Sequence, residues 1–146
     1  MKLTLSHQAV AGSVLALVMA ASTVFAASMS PAQKATYDKY AVAAKAASPA
    51  FTEFSASRGQ AFFATKQSGG KPDTPSCTTC HTADPKKSGQ TRAGKAIEPM
   101  AISVNPKRFN DPADVEKWFR RNCADVLGRE CTALEKGDFL AFMFSE

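Results

Sequence analysis

The sequence is poor in the residues that build most metal and redox sites. It holds two histidines, four cysteines, one tryptophan and two tyrosines in 146 residues. One of the histidines, His7, lies in a segment that is expected to be removed. Lys2 opens a short positive region, Ala9 to Ala21 is a run without a charge, and Val24-Phe25-Ala26 places small or aliphatic residues where a signal peptidase reads. This pattern is that of a secretory signal cut after Ala26, and the run falls short of the roughly 20 apolar residues a spanning helix needs. The expected products are a removed signal over 1–26 and a mature chain with a single histidine, His81, which excludes any site built from two histidines of this chain. Export implies an oxidising compartment, expected to be a bacterial periplasm, where disulfides persist.

Strand-like alternation is also lacking, as are internal repeats and low-complexity stretches. Hydrophobic residues make up 45% of the chain, ordinary for a globular protein. Charge is biased, with a formal net charge of +5 and a pI of about 9.1. Lys66, Lys71, Lys86, Lys87, Arg92 and Lys95 crowd one stretch, which reads either as a solvated loop surface or as a patch that steers an acidic partner. Nucleic acid is not expected, because the basic residues form no stripe interleaved with aromatics.

Helix signals are plentiful. Ser30-Pro31 with Gln33 is a capping box with proline at the first helical position, and the Ala-rich stretch to Ala47 favours helix. Ser48-Pro49 repeats the start signal, predicting a second helix from Pro49 to about Lys66. Asp111-Pro112 opens a third, on which Val115, Trp118, Phe119 and Asn122 share one face. Thr132 to Glu135 is a second capping box, opening a last helix to about Phe144. Residues 82–110 read as loop, unusually long for a small domain unless it wraps a cofactor that stands in for missing core.

The cofactor is indicated by Cys77-Thr78-Thr79-Cys80-His81. Two thiols separated by two residues can form thioethers to the two vinyl groups of one haem, and the next residue then offers an imidazole to the iron. The rivals are weaker. A thioredoxin-like pair needs a βαβ context, and Cys123 and Cys131 lack the spacing that would complete a zinc site. The expected cofactor is one covalent haem c, held by Cys77 and Cys80 with His81 as an axial ligand. The expected fold is all-α and class I cytochrome c-like, with helices and long loops around the haem. Arg58-Gly59-Gln60-Ala61-Phe62-Phe63 resembles the G-x-x-x-F pattern of that class, in which glycine permits a close helix crossing; Gly59 and Gly137 are the candidates here. The expected division is an Ala-rich helical extension over 27–50 and a monohaem domain over 51–146.

The sixth iron position separates an electron carrier from a gas-binding haem. Of the mature methionines, Met29 lies near the new N-terminus, Met143 falls on an apolar helix and reads as core, and Met100 lies in the loop after the motif, where a thioether could meet the iron. Asn122 is the other candidate. Its amide is costly on an apolar face unless it finds partners, and it could serve as a weak ligand, although asparagine is also a common helix terminator. Beside it, Cys123 and Cys131 are the remaining even pair, expected to form a disulfide closing a nine-residue loop and contributing about 2–3 kcal/mol.

The stretch Val115-Glu116-Lys117-Trp118-Phe119-Arg120-Arg121-Asn122-Cys123, continuing through Leu127-Gly128-Arg129-Glu130-Cys131-Thr132, resembles the oxygen-binding c-type cytochromes of the sphaeroides haem protein (SHP) family. Gly94-Lys95-Ala96-Ile97-Glu98-Pro99 and Asn105-Pro106-Lys107-Arg108-Phe109 resemble it too, so the likeness runs from about Gly59 onward. It implies that Asn122 ligates the oxidised iron and leaves on reduction, that the opened site binds O2 or NO, that Cys123 and Cys131 are bridged, and that a dihaem cytochrome c or a membrane b-type cytochrome donates electrons. Whether such a protein also transforms its ligand, for instance by oxidising NO with bound O2, is left open by the residues. Trp118 would pack at the haem edge. Because Met100 follows Pro99, a plain electron-transfer cytochrome with His/Met ligation remains the alternative.

Overall fold

The computed structural model describes residues 29–146; the signal segment lies outside them. Among the described residues five helices follow in order: α1 (Pro31–Ala47), α2 (Ala56–Ala64), the short α3 (Thr78–His81), α4 (Pro112–Leu127) and α5 (Ala133–Ser145). Two two-residue strands, β1 (Gly89–Gln90) and β2 (Ala96–Ile97), pair antiparallel. The fold is all-α, as expected, and no helix among the described residues is long and apolar enough to cross a membrane.

Local chemistry accounts for most boundaries. Ser30 and Thr132 make full capping boxes with Gln33 and Glu135, and the Asp111 carboxylate accepts from the backbone N–H groups of Ala113 and Asp114. These side chains satisfy N–H groups that a helix start leaves without partners. The second helix departs from expectation. It starts at Ala56 rather than Pro49, because Ser48 closes α1, its N–H donating to the Ala44 carbonyl, while Ser55 supplies the cap of α2. The loop over 82–110 departs as well, since it carries the β1–β2 pair.

Helix α5 is the centre of the core. Leu140 and Met143 are fully buried, Phe139, Phe142 and Phe144 nearly so, and Phe63 of α2 packs on the rings of Phe139 and Phe142. Met143 is therefore core, as its pattern suggested. Helices α2 and α5 cross closely at Gly59, where a Cβ would lie only 1.9 Å from the Asp138 carbonyl oxygen. Gly137 does not face α2 directly; it gives room to the Phe54 ring just ahead of that helix. An ion pair locks the crossing. The buried Asp138 carboxylate accepts from the Arg58 guanidinium at 2.7 and 2.8 Å and from the Ser55 N–H at 2.7 Å.

Candidate functional site

A cavity of about 750 Å³ opens between α3, the 90–110 segment and α4. That volume is in the range of cofactor sites. Its walls bring together residues far apart in sequence: Cys77, Cys80 and His81 from the motif, Met100 from the loop, and Trp118 and Asn122 from α4.

The motif folds as a single turn. The His81 N–H donates to the Cys77 carbonyl at 3.1 Å, which sets the two thiols and the imidazole on one short helix. Both cysteines are free thiols. Burial pushes the Cys77 thiol up to about 11, with the nearby Cys80 adding to the rise, so it is protonated at neutral pH. His81 moves the other way. Burial first, and then the charge of Arg108, pull it down to about 4, so the imidazole is neutral and keeps a lone pair for a metal. Among the described residues its Nδ1 is buried without a hydrogen-bond partner, a cost a folded protein rarely leaves unmet. The β1–β2 hairpin lies directly against this turn, and Gly89 permits it: a Cβ there would be 2.1 Å from the Cys80 carbonyl oxygen. Two free thiols, a neutral imidazole with an unmet nitrogen and a cavity beside them are a donor set that fits a thioether-linked haem.

Helix α4 forms the opposite part of the lining. All four residues of this face line the cavity: Val115 and Phe119 are buried at its inner wall, whereas Trp118 and Asn122 are exposed at its outer part. Trp118 is thus not core. It is 44% exposed, its indole N–H donates to the Asp114 carboxylate at 3.1 Å, and Lys117 and Arg121 lie over its ring. Asn122 also differs from the expected helix terminator. The helix continues to Leu127 and ends at Gly128, whose φ of 69° provides the left-handed cap. Asn122 is therefore an interior helix residue directed to the cavity wall, next to Cys123, which is joined to Cys131 by a disulfide with Cα atoms 5.6 Å apart. The bridge ties α4 to the start of α5 just beyond Asn122.

Met100 is placed differently. It is 6% exposed, its N–H donates to the Pro85 carbonyl at 2.8 Å, and its sulfur accepts from the Arg108 guanidinium at 3.0 Å. Arg108, which belongs to the family-like stretch 105–109, is half-buried, lines the cavity and makes no salt bridge among the described residues; nothing local in that stretch marks its side chain as a partner of Met100.

The lysine-rich stretch is largely neutralised. Lys71 pairs with Asp125, Lys86 with Glu146, Lys87 with Asp84 and Arg92 with Asp73. Lys95, Lys107 and Arg121 line the cavity together with the acidic Glu98, Asp111, Asp114 and Asp125, so its charged lining is mixed.

Comparison with known proteins places these features among relatives. Residues 49–143 match a family described as "Domain of unknown function (DUF1924)". The chain is 58% identical over 91 residues to the cytochrome c-type protein SHP of Cereibacter sphaeroides, covering 62% of this chain and 70% of that protein. It is 36% identical over 121 residues to cytochrome c'' of Methylophilus methylotrophus, covering 82% and 83%. The structure of oxidised SHP, described as an oxygen-binding cytochrome c, superposes with a TM-score of 0.71 at 50% identity, over 79% of this chain and 96% of that one. The solution structure of cytochrome c'', described as giving insights into the structural basis of haem-ligand detachment, superposes with a TM-score of 0.68 at 35% identity, over 78% and 93%.

Proposed function

Since the chain belongs to the SHP family of c-type cytochromes and carries one covalently bound haem c, we propose that it is a periplasmic cytochrome whose sixth iron position is closed by Asn122 when oxidised and opens on reduction to admit O2 or NO. The haem supplies a one-electron couple and an axial position for a diatomic gas. Cys77 and Cys80 would hold it by two thioethers, and the neutral His81 imidazole would bind its iron in both oxidation states. The observation that carries the reading is the placement of Asn122: an amide in mid-helix, on the cavity wall, with no terminating role to explain it.

The chemistry of the donor gives the switch its direction. A neutral amide oxygen is a weak, hard ligand that suits ferric iron better than ferrous, whereas a thioether does the reverse and raises the potential. Asn122 is held by α4 and by the adjacent Cys123–Cys131 bridge, so it can return to one position after each release. Trp118 flanks the same wall and would cover the haem edge. A partner cytochrome of dihaem c or membrane b type, as the resemblance implies, would supply the electron.

The reading is tested by the spin state of the purified holoprotein. In the absence of added ligands the oxidised form is expected to be six-coordinate, and dithionite should convert it to a five-coordinate, high-spin ferrous form seen in the absorption and magnetic circular dichroism spectra. A ferrous spectrum that stays six-coordinate and low-spin would favour His/Met ligation instead.

A further inference from the structure

Release of Asn122 on reduction creates a difficulty that the same cavity must answer. Met100 lines it too, and a thioether is the better ligand for ferrous iron. A Met100 side chain free to reach the iron would compete for the position once the amide departs. The structure holds it back. The Met100 sulfur accepts a hydrogen bond from the Arg108 guanidinium at 3.0 Å, and its backbone is fastened to Pro85.

Arg108 is itself fixed from several sides. Its guanidinium lies over the Phe109 ring, 5.8 Å from the centroid. Its carbonyl accepts from Nε2 of Gln33 at 2.6 Å, and the same amide nitrogen reaches the Pro106 carbonyl at 3.2 Å. Gln33 is 1% exposed and stands on α1, before the stretch matched by the family model. A buried amide that donates to two carbonyls more than 70 residues away on the chain is a strong positional constraint. Phe109 next to them sits at φ 64°, so the loop is held in a turn that only a fixed surrounding maintains.

We propose that Arg108, held in position by Gln33 of α1, keeps the Met100 thioether off the iron and so leaves the sixth position to Asn122 and the gas. Arg108 is a positioning residue in this role, and α1 belongs to the haem site although it lies outside the cavity lining. The proposal rests on the Asn122 reading above.

The test uses full-length holoprotein. Arg108→Leu removes the donor while keeping most of the aliphatic bulk. Its ferrous form is expected to turn from high-spin to a six-coordinate, low-spin spectrum and to take up CO about tenfold less readily, because only the fraction of molecules without a bound thioether is competent. Adding Met100→Leu should abolish the low-spin form and restore CO uptake, and Arg108→Lys should lie between the two. Should Arg108→Leu not accumulate as holoprotein, Gln33→Ala loosens the same loop without altering a cavity-lining residue and should give the same low-spin form at lower amplitude. Arg108 and Gln33 variants that stay high-spin when reduced, with unchanged CO uptake, would overturn the proposal. A low-spin, six-coordinate ferrous form of the unmodified protein would overturn the Asn122 reading itself, and this proposal with it.

Discussion

Asn122→Ala is expected to leave the ferric iron permanently five-coordinate or water-bound and to raise its affinity for small exogenous ligands such as cyanide or imidazole by about 10- to 100-fold. The range follows from linkage: if the amide closes the site in about 90–99% of ferric molecules, only the remaining fraction binds, and removing the amide removes that handicap. Fold stability should change little, since Asn122 is exposed on the cavity side and makes none of the described side-chain hydrogen bonds. Ligand titration of the ferric variant, monitored in the Soret region, checks the affinity. A ferric spectrum and an affinity unchanged from the unmodified protein would mean that Asn122 does not close the site.

A larger effect is expected when both thioether cysteines are replaced. Cys77→Ser/Cys80→Ser should yield a protein that loses all colour on denaturation and acid extraction, and whose chain no longer folds cooperatively. The buried wall formed by Val115, Phe119, Cys123, Val126, Leu127 and Phe139 lines the cavity, so without a bound haem these apolar side chains have no partner on that side. Single domains possess only roughly 5–15 kcal/mol of net stability, so losing such a contact surface is a large fraction of it. The haem would thus complete the core, and its covalent fastening would keep it from being lost by dissociation. The mass of the denatured variant and its circular dichroism check both halves of this expectation. Haem stain persisting on a denaturing gel would contradict it.

What the sequence reveals here is what is local. The haem motif occupies five consecutive residues. The caps at Ser30, Asp111 and Thr132 satisfy N–H groups two or three positions away, and a helix start is written in that span. Ser48-Pro49 shows the limit of such signals. The same pair that can open a helix closes one here, because Ser48 completes the last turn of α1 and the chain then turns, with the Phe51 N–H on the Ser48 carbonyl. Trp118 and Asn122 were legible as one face of a helix, but the spacing of apolar residues does not tell core from cavity wall. All four of Val115, Trp118, Phe119 and Asn122 line the cavity, the first and third buried in its wall and the other two exposed. The Gln33–Arg108–Met100 chain was not legible at all. Its links span 75 and 8 residues, and each residue type is common enough that only the folded arrangement shows what it holds.

The same distinction separates the two ligand candidates. On sequence alone Met100 and Asn122 stand level, one in the loop after the motif and one on an amphipathic helix. In the fold, the thioether is engaged by a guanidinium and tied to the segment that follows His81, whereas the amide stands free on the cavity wall. This asymmetry underlies the preference for a gas-binding haem over a plain electron carrier.

The most direct test is rapid mixing of the fully reduced, unmodified protein with CO. An iron already open should give an observed rate that rises linearly with CO concentration, with no plateau. A rate that saturates at a value independent of CO would mean that a protein ligand must leave the ferrous iron first, and failure to bind CO at all would mean that the position is firmly held; either result contradicts an Asn122 switch that opens on reduction.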